Sequence, residues 1–182
     1  MIYIVRHGQT DWNAAHKLQG ATDIPLNEAG IKEAHDVAEE LKDVKFDVVY
    51  CSPLQRAKKT CEIIWDGKIV FDDRLRERSF GEFEGHNPYN HESHFSDIYN
   101  WVKDLDIGGG ERVSEFEKRV FEFFDEILEK HPNKTILVVC HGGVIRMAKG
   151  YFMGKPNDGD YYGAYGVERN VSILKFEGGR VE

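Results

Sequence analysis

Little in this chain of 182 residues serves for cross-linking or for crossing a bilayer. Cysteine is scarce: Cys51, Cys61 and Cys140 are odd in number and lack metal-ligand spacing, which argues against a disulfide framework. Cys51 and Cys140 sit in apolar runs and read as small core residues rather than nucleophiles. No apolar run nears the roughly 18 to 20 residues that a membrane helix needs. The stretch MIYIVRHGQ has no basic leader and only a few apolar residues before Arg6, unlike a secretory signal, so a cytoplasmic location is expected. Positive charge is in deficit too, 24 Lys+Arg against 32 Asp+Glu for a net charge of -8, which argues against general affinity for nucleic acid or anionic membranes. An anionic ligand must then be held by a local cluster of cations. Repeats and low-complexity linkers are also missing, and the length suits one domain over 1–182 better than two.

What is present is an alternation of strand-like and helix-like segments. Met1 to Val5 is a short apolar run that stops at Arg6, as a buried strand would that delivers Arg6 and His7 to its carboxyl end. From Asn27, a capping residue, the spacing of Ile31, Ala34, Val37, Ala38 and Leu41 predicts a helix, with Gly30 a small cost in its first turn. FDVVYCS from Phe46 reads as a second buried strand. Ser52 and Pro53 then open a helix as cap and first helical residue, with Arg56 close behind. Residues 85–112 are rich in His, Asn, Asp and aromatics, with a glycine break at 108–110, and are expected to be a partly helical lid.

Glu111 to Lys130 carries an apolar stripe of Val113, Phe116, Val120, Phe123, Phe124, Ile127 and Leu128, the mark of a core-facing helix. TILVVC from Thr135 is a continuous apolar strand running into His141-Gly142-Gly143, and VIRMAKGYF follows as a helix. VSILKF, before a Gly178-Gly179 turn, predicts a last strand with a short hairpin partner. The fold class is therefore α/β: a three-layer α/β/α sandwich around a mixed, mainly parallel sheet. In such sheets ligands collect beyond the carboxyl ends of the strands. Three of those ends carry Arg6-His7, Ser52 with Arg56, and His141.

That set has the chemistry a phosphate monoester requires. Arg6 and Arg56 offer planar forks for phosphoryl oxygens and stay charged at any working pH. His7 can attack phosphorus through a neutral ring nitrogen if an acceptor fixes its tautomer. His141, protonated beside a dianion, adds a positive donor, and Gly142-Gly143 allow backbone N–H groups to approach the same oxygens.

Five strings in order, RHGQTDWN at 6–13, QGATDIPLNEAG at 19–30, SPLQRAKKT at 52–60, LRERSFGEFEG at 75–85 and CHGGVIR at 140–146, closely resemble the histidine phosphatase superfamily, the phosphoglycerate-mutase-like proteins. The resemblance runs from residue 2 to about 176 and implies that family's sandwich fold. It implies that His7 is the phosphorylated histidine, with Arg6, Arg56 and His141 completing the phosphate pocket. Glu77 stands at the proton donor's place in a string like L-x-E-x-x-x-G, while Asn13, Gln19 and Gly20 match positions that line the pocket. No metal and no cofactor is implied. The substrate class implied is a small-molecule phosphate monoester such as α-ribazole phosphate, a sugar phosphate or a broad set, and a homodimer is one assembly the sequence allows.

The segment between the glutamate motif and His141 is short, and His141-Gly142-Gly143 stands where mutases commonly show H-G-N, which favours the phosphatase branch over a cofactor-dependent phosphoglycerate mutase. A phospho-ligand sensor that binds without turnover is a third reading, disfavoured by the intact set. Gly109-Gly110-Glu111-Arg112 departs from the usual G-G-E-S, so Arg112 is expected at the pocket mouth, favouring a substrate with a second anionic group. His86, His91 and His94 lack an accompanying carboxylate pair and read as part of a solvated or substrate-facing lid rather than as metal ligands.

Overall fold

The computed structural model describes residues 1–87, 104, 108–166 and 168–179. Its five strands are β1 (Ile2–Arg6), β2 (Val48–Cys51), β3 (Val70–Phe71), β4 (Ile136–Cys140) and β5 (Ile173–Phe176). The helices are α1 (Asp11–Ala14), α2 (Glu28–Leu41), α3 (Gln55–Ile64), α4 (Val113–Lys130), α5 (Gly142–Met153) and α6 (Tyr161–Tyr165), with single 3-10 turns at Asp73–Leu75 and Gly81–Phe83. Sheet order is β3-β2-β4-β1-β5, every neighbouring pair parallel except the antiparallel β1 and β5. The sheet is mixed and mainly parallel, as the alternation of elements predicts.

Side chains of β4 alternate between two cores. Ile136, Val138 and Cys140 pack with Phe116, Phe123, Phe124 and Ile127 of α4 and with α5, while Leu137 and Val139 pack with Val37 and Leu41 of α2 and Ala57 and Cys61 of α3. A strand buried on both faces must be apolar at every position, which is why TILVVC shows no polar alternation. Phe116, Phe123, Phe124 and Ile127 are fully buried, each stabilising the fold by about 1.5–3 kcal/mol.

The start of α3 departs from the sequence-based expectation. α3 begins at Gln55, with Leu54 in the cap position, while the Ser52 hydroxyl lies 2.7 Å from His141 Nε2 and accepts from Leu54 N–H at 3.4 Å. Asp23 Oδ1 takes over, accepting from Gln55 N–H at 2.8 Å as a cap supplied from another loop. β5 pairs antiparallel with β1, and a hairpin partner after Gly178-Gly179 would fall at 180–182, outside the described residues. Gly30 sits in the first turn of α2 for a packing reason, since a Cβ there would lie 2.1 Å from the Gln9 carbonyl oxygen. That close approach seats the loop leaving β1 on the start of α2. Of the segment expected as a lid, 88–103 and 105–107 lie outside the described residues, including His91 and His94. No helix among the described residues is long and apolar enough to cross a membrane.

Candidate active site

Register brings the key residues together. β4 lies between β1 and β2, with Arg6 opposite Cys140 and Cys51 opposite Val139, so the next residue of each strand emerges at one edge. His7 N–H donates to the Cys140 carbonyl and Ser52 N–H to the Val139 carbonyl, each at 3.0 Å, extending the ladders by one step. The His7 and His141 rings stand 5.1 Å apart between centroids. Residues separated by more than 130 positions thereby share one edge of the sheet.

His7 is buried, and its Nδ1 lies 2.7 Å from the Gly8 carbonyl oxygen. A carbonyl only accepts, so Nδ1 carries the proton and Nε2 holds the lone pair. Burial, reinforced by the charges of Arg56 and Arg6, holds the ring well below the ordinary imidazole value of 6.5. The ring is thus neutral near pH 7, with a lone pair on Nε2. Burial, then Arg56, His7 and Arg6, push His141 down in the same way. Without an anion beside it His141 is neutral, so the positive donor expected there requires the ligand's own charge.

Arg56 is fully buried. Its Nη1 and Nη2 donate to the carbonyls of Thr22 at 2.8 Å and Gly20 at 2.7 Å, and burial lowers its pKa to about 10. Arg6 is held by a bond from Nη1 to the Glu168 carbonyl. Arg6 Nε, Arg56 Nε and His141 Nδ1 are buried without a partner among the described residues. A buried unsatisfied donor costs about 1–3 kcal/mol, so the two guanidinium Nε groups, both on residues that line one cavity, mark a place that suits an oxyanion.

The loop that holds Arg56 is clamped by Glu84. Its carboxylate accepts from Ala21 N–H, Thr22 N–H and Phe80 N–H, each at 2.9 Å, and from the Thr22 hydroxyl. Gly20 has φ +53, and a Cβ there would meet Glu84 Oε1 at 2.2 Å, so glycine is required by backbone and by space alike. Gln19 is fixed by its carbonyl oxygen, 2.9 Å from the Thr10 hydroxyl. Asn13 Oδ1 accepts from Thr10 N–H and from Asn170 Nδ2, which leaves its own amide N–H groups for the cavity it lines.

Glu77 follows the first 3-10 turn, and the carbonyls of Arg74 in that turn and of Arg76 and Glu77 after it accept from Arg119 of α4. Its carboxylate accepts from Gly143 N–H and Arg78 N–H, both at 2.9 Å. Gly143 therefore serves Glu77 and not a bound oxyanion, correcting the expectation for that N–H, and a Cβ at 143 would lie 2.2 Å from Glu77 Oε1. Gly142 forms cavity wall beside Arg6.

These side chains line a cavity of about 300 Å³ bounded by Arg6, His7, Asn13, Gln19, Gly20, Arg56, Glu77 and Gly142. His141 is not among the lining residues, though its ring centroid is 5.1 Å from that of His7. Arg112 is not among its lining: the residue is exposed, and Nη1 donates to the Asp104 carbonyl at 2.9 Å. The cap of α4 turns that side chain away. In its place the cavity wall carries Arg78, Arg146 and Tyr162, which the sequence reading did not single out. Among the described residues no cluster of three or more His, Cys, Asp or Glu could hold a metal ion.

The pair of buried neutral histidines has a thermodynamic consequence. An unfolded chain takes up protons on both rings near pH 6.5, the folded chain only well below it. In that window the unfolded state binds more protons, so stability is retained above 6.5 and lost as pH falls, with a slope approaching about 2.7 kcal/mol per pH unit for two rings. Urea midpoints measured between pH 7.5 and 5.5 should fall accordingly, and His7→Asn should roughly halve the fall. A flat profile would mean that the folded rings protonate freely.

The sequence model of the histidine phosphatase superfamily (branch 1) matches residues 2–182, and the chain belongs to that family. It is an enzyme of the phosphoric monoester hydrolase class. Among its relatives, an uncharacterized phosphatase, PhoE, of Bacillus subtilis (strain 168) is 37% identical over 148 residues, 79% of this chain and 72% of that protein. A phosphoglycerate mutase-like protein 4 of Arabidopsis thaliana is 42% identical over 155 residues, 80% of this chain and 67% of that one. The solved mycobacterial glucosyl-3-phosphoglycerate phosphatase, in complex with VO3, superposes with a TM-score of 0.84 at 25% identity, covering 94% of this chain and 90% of its own.

Proposed function

We propose that the chain hydrolyses a small phosphate monoester in two steps through a phosphohistidine at His7, without a metal ion. The observation that carries this is the tautomer of His7: Nδ1 is bound to the Gly8 carbonyl, so Nε2 is a lone-pair nucleophile in a cavity walled by Arg6 and Arg56. In the first step Nε2 forms a bond to phosphorus while the ester P–O bond breaks, and the departing oxygen takes a proton from Glu77. In the second, water attacks phosphorus, yields its proton to Glu77, and the N–P bond breaks to release inorganic phosphate. Arg6, Arg56 and a His141 protonated beside the dianion hold the equatorial oxygens throughout.

The test is turnover of p-nitrophenyl phosphate in excess chelator, which should match turnover without it. Loss on chelation with recovery on adding metal would end the reading. With 3-phosphoglycerate, free phosphate is expected as product, whereas an isomerised phosphoglycerate would make the chain a mutase. Because a proton donor matters most for poor leaving groups, Glu77→Gln should slow alkyl phosphates by about 10²–10⁴ and aryl phosphates far less. Equal slowing of both would remove Glu77 from the acid role.

A further inference from the structure

The loop that carries His7 is fastened at each backbone N–H and carbonyl from 7 to 9. His7 N–H donates to the Cys140 carbonyl at 3.0 Å, and the His7 carbonyl accepts from Asn170 Nδ2 at 3.0 Å. Gly8 N–H donates to Thr60 Oγ1 at 3.0 Å, and the Gly8 carbonyl is the acceptor for His7 Nδ1. Gln9 N–H donates to Glu33 Oε2 at 2.7 Å, and the Gln9 carbonyl accepts from Asn27 N–H at 3.0 Å. All of these partners are neutral except the Glu33 carboxylate. It is placed there by α2: a Cβ at Gly30 would lie 2.1 Å from the Gln9 carbonyl oxygen and 2.5 Å from Gln9 N, so the start of the helix rests on this loop. Glu33 follows three residues later on the same helix face and is half-buried.

Gln9 N–H and the Gly8 carbonyl belong to one peptide unit. A carboxylate at its N–H end shifts electron density toward the oxygen at the other end, so the acceptor facing His7 Nδ1 is stronger than an ordinary carbonyl. Through that one amide the Glu33 carboxylate can do what a carboxylate does in direct contact with a histidine, which is to fix the tautomer and favour charge on the ring. Such help is needed here. When Nε2 bonds to phosphorus and Nδ1 keeps its proton, the ring becomes cationic in a place where burial and the charges of Arg56 and Arg6 oppose a cation. The carboxylate acts from the Nδ1 edge, away from the phosphoryl group on Nε2.

We propose that Glu33 is a positioning residue for phosphoryl transfer: acting through the Gly8–Gln9 peptide, its negative charge orients the His7 ring and stabilises the phosphohistidine as it forms. The proposal rests on His7 being the nucleophile, as in the reading above. Glu33 itself does not line the cavity, and it lies beyond the motif string that ends at Gly30.

Two substitutions separate charge from mere tethering. Glu33→Gln keeps an oxygen for Gln9 N–H and removes the charge, while Glu33→Ala removes both. With enzyme in excess over p-nitrophenyl phosphate, the single burst of nitrophenolate reports transfer to His7. Its saturating rate should fall by about tenfold or more in Glu33→Gln, with the half-saturating concentration within about twofold of wild type because Arg6 and Arg56 are untouched. The low-field proton resonance of His7 Nδ1–H, assigned by 15N-histidine labelling and by its loss in His7→Ala, should move upfield in substrate-free Glu33→Gln. A Glu33→Gln burst rate within about twofold of wild type, or a resonance that stays in place, would overturn the proposal. Slowing confined to Glu33→Ala would overturn it too, leaving Glu33 as a tie between α2 and the loop. Failure of the wild-type protein to form any phosphohistidine would count against His7 as nucleophile, whereas the substrate-free resonance still decides whether the charge of Glu33 reaches the ring.

Discussion

Replacement of His7 by alanine is expected to abolish steady-state turnover of every phosphate monoester the protein accepts, by at least about four orders of magnitude. The size follows from what is removed. Arg6, Arg56 and His141 remain and still bind the phosphoryl group, but no lone pair stands in line with the leaving oxygen. Water would have to take that place within a wall shaped for an imidazole. Stability is the necessary control. His7 is 2% exposed and its ring carries a depressed pKa, so its loss removes a buried polar group as well as a nucleophile. A truncation that leaves folding intact at pH 7.5 while erasing turnover separates the two roles. Rapid quenching at alkaline pH, where phosphohistidine survives, should trap label from a 32P-monoester on the wild-type protein and none on His7→Ala. Full turnover in the variant would remove His7 from the reaction.

Much of this architecture is legible in the residues because strong local signals and tertiary demands coincide there. TILVVC is apolar throughout because both faces of β4 are covered, and the abrupt polar stop at His141 marks the strand end. The same reasoning places Arg6 and His7. The motif strings then add Glu77, Asn13, Gln19 and Gly20, each of which lines the cavity. What the residues conceal is set by partners distant in sequence. Arg146 on a helix reads as a solvated charge until the Gly166 carbonyl and the Tyr162 ring are seen beside it, and 155–169 has no periodicity to announce them. Arg112 misleads in the opposite sense. Its place in a string that resembles the family's G-G-E-S suggests the pocket mouth, yet backbone direction at the start of α4 turns it toward Asp104. α3 starts at Gln55, where the N–H is capped by Asp23, a tertiary contact with no local sign. Glu84 shows the same limit, since its donors come from Ala21, Thr22 and Phe80, in two segments far apart in the chain.

Arg56→Lys is the second substitution with a large expected effect, and it isolates geometry from charge. Two of the five guanidinium N–H groups go to the Gly20 and Thr22 carbonyls, while Nε is buried without a partner among the described residues. That division leaves three donors in a fixed fork for phosphoryl oxygens. Lysine keeps the positive charge but has three donors on a flexible stem, and serving both carbonyls would leave one. Removing one preorganised donor from a developing oxyanion costs about 10²–10³ in rate, so kcat/KM for Arg56→Lys should fall by at least that factor, with kcat bearing most of the loss. Arg56→Met should lose the charge as well and leave two carbonyls unpaired, destabilising the fold by a further 1–3 kcal/mol or about that. Rates for the lysine protein within threefold of wild type would show that Arg56 serves only to tie the 20–22 loop to α3. A fall in kcat/KM with an unchanged urea midpoint would place its role in holding the phosphoryl group as it moves between oxygen and nitrogen.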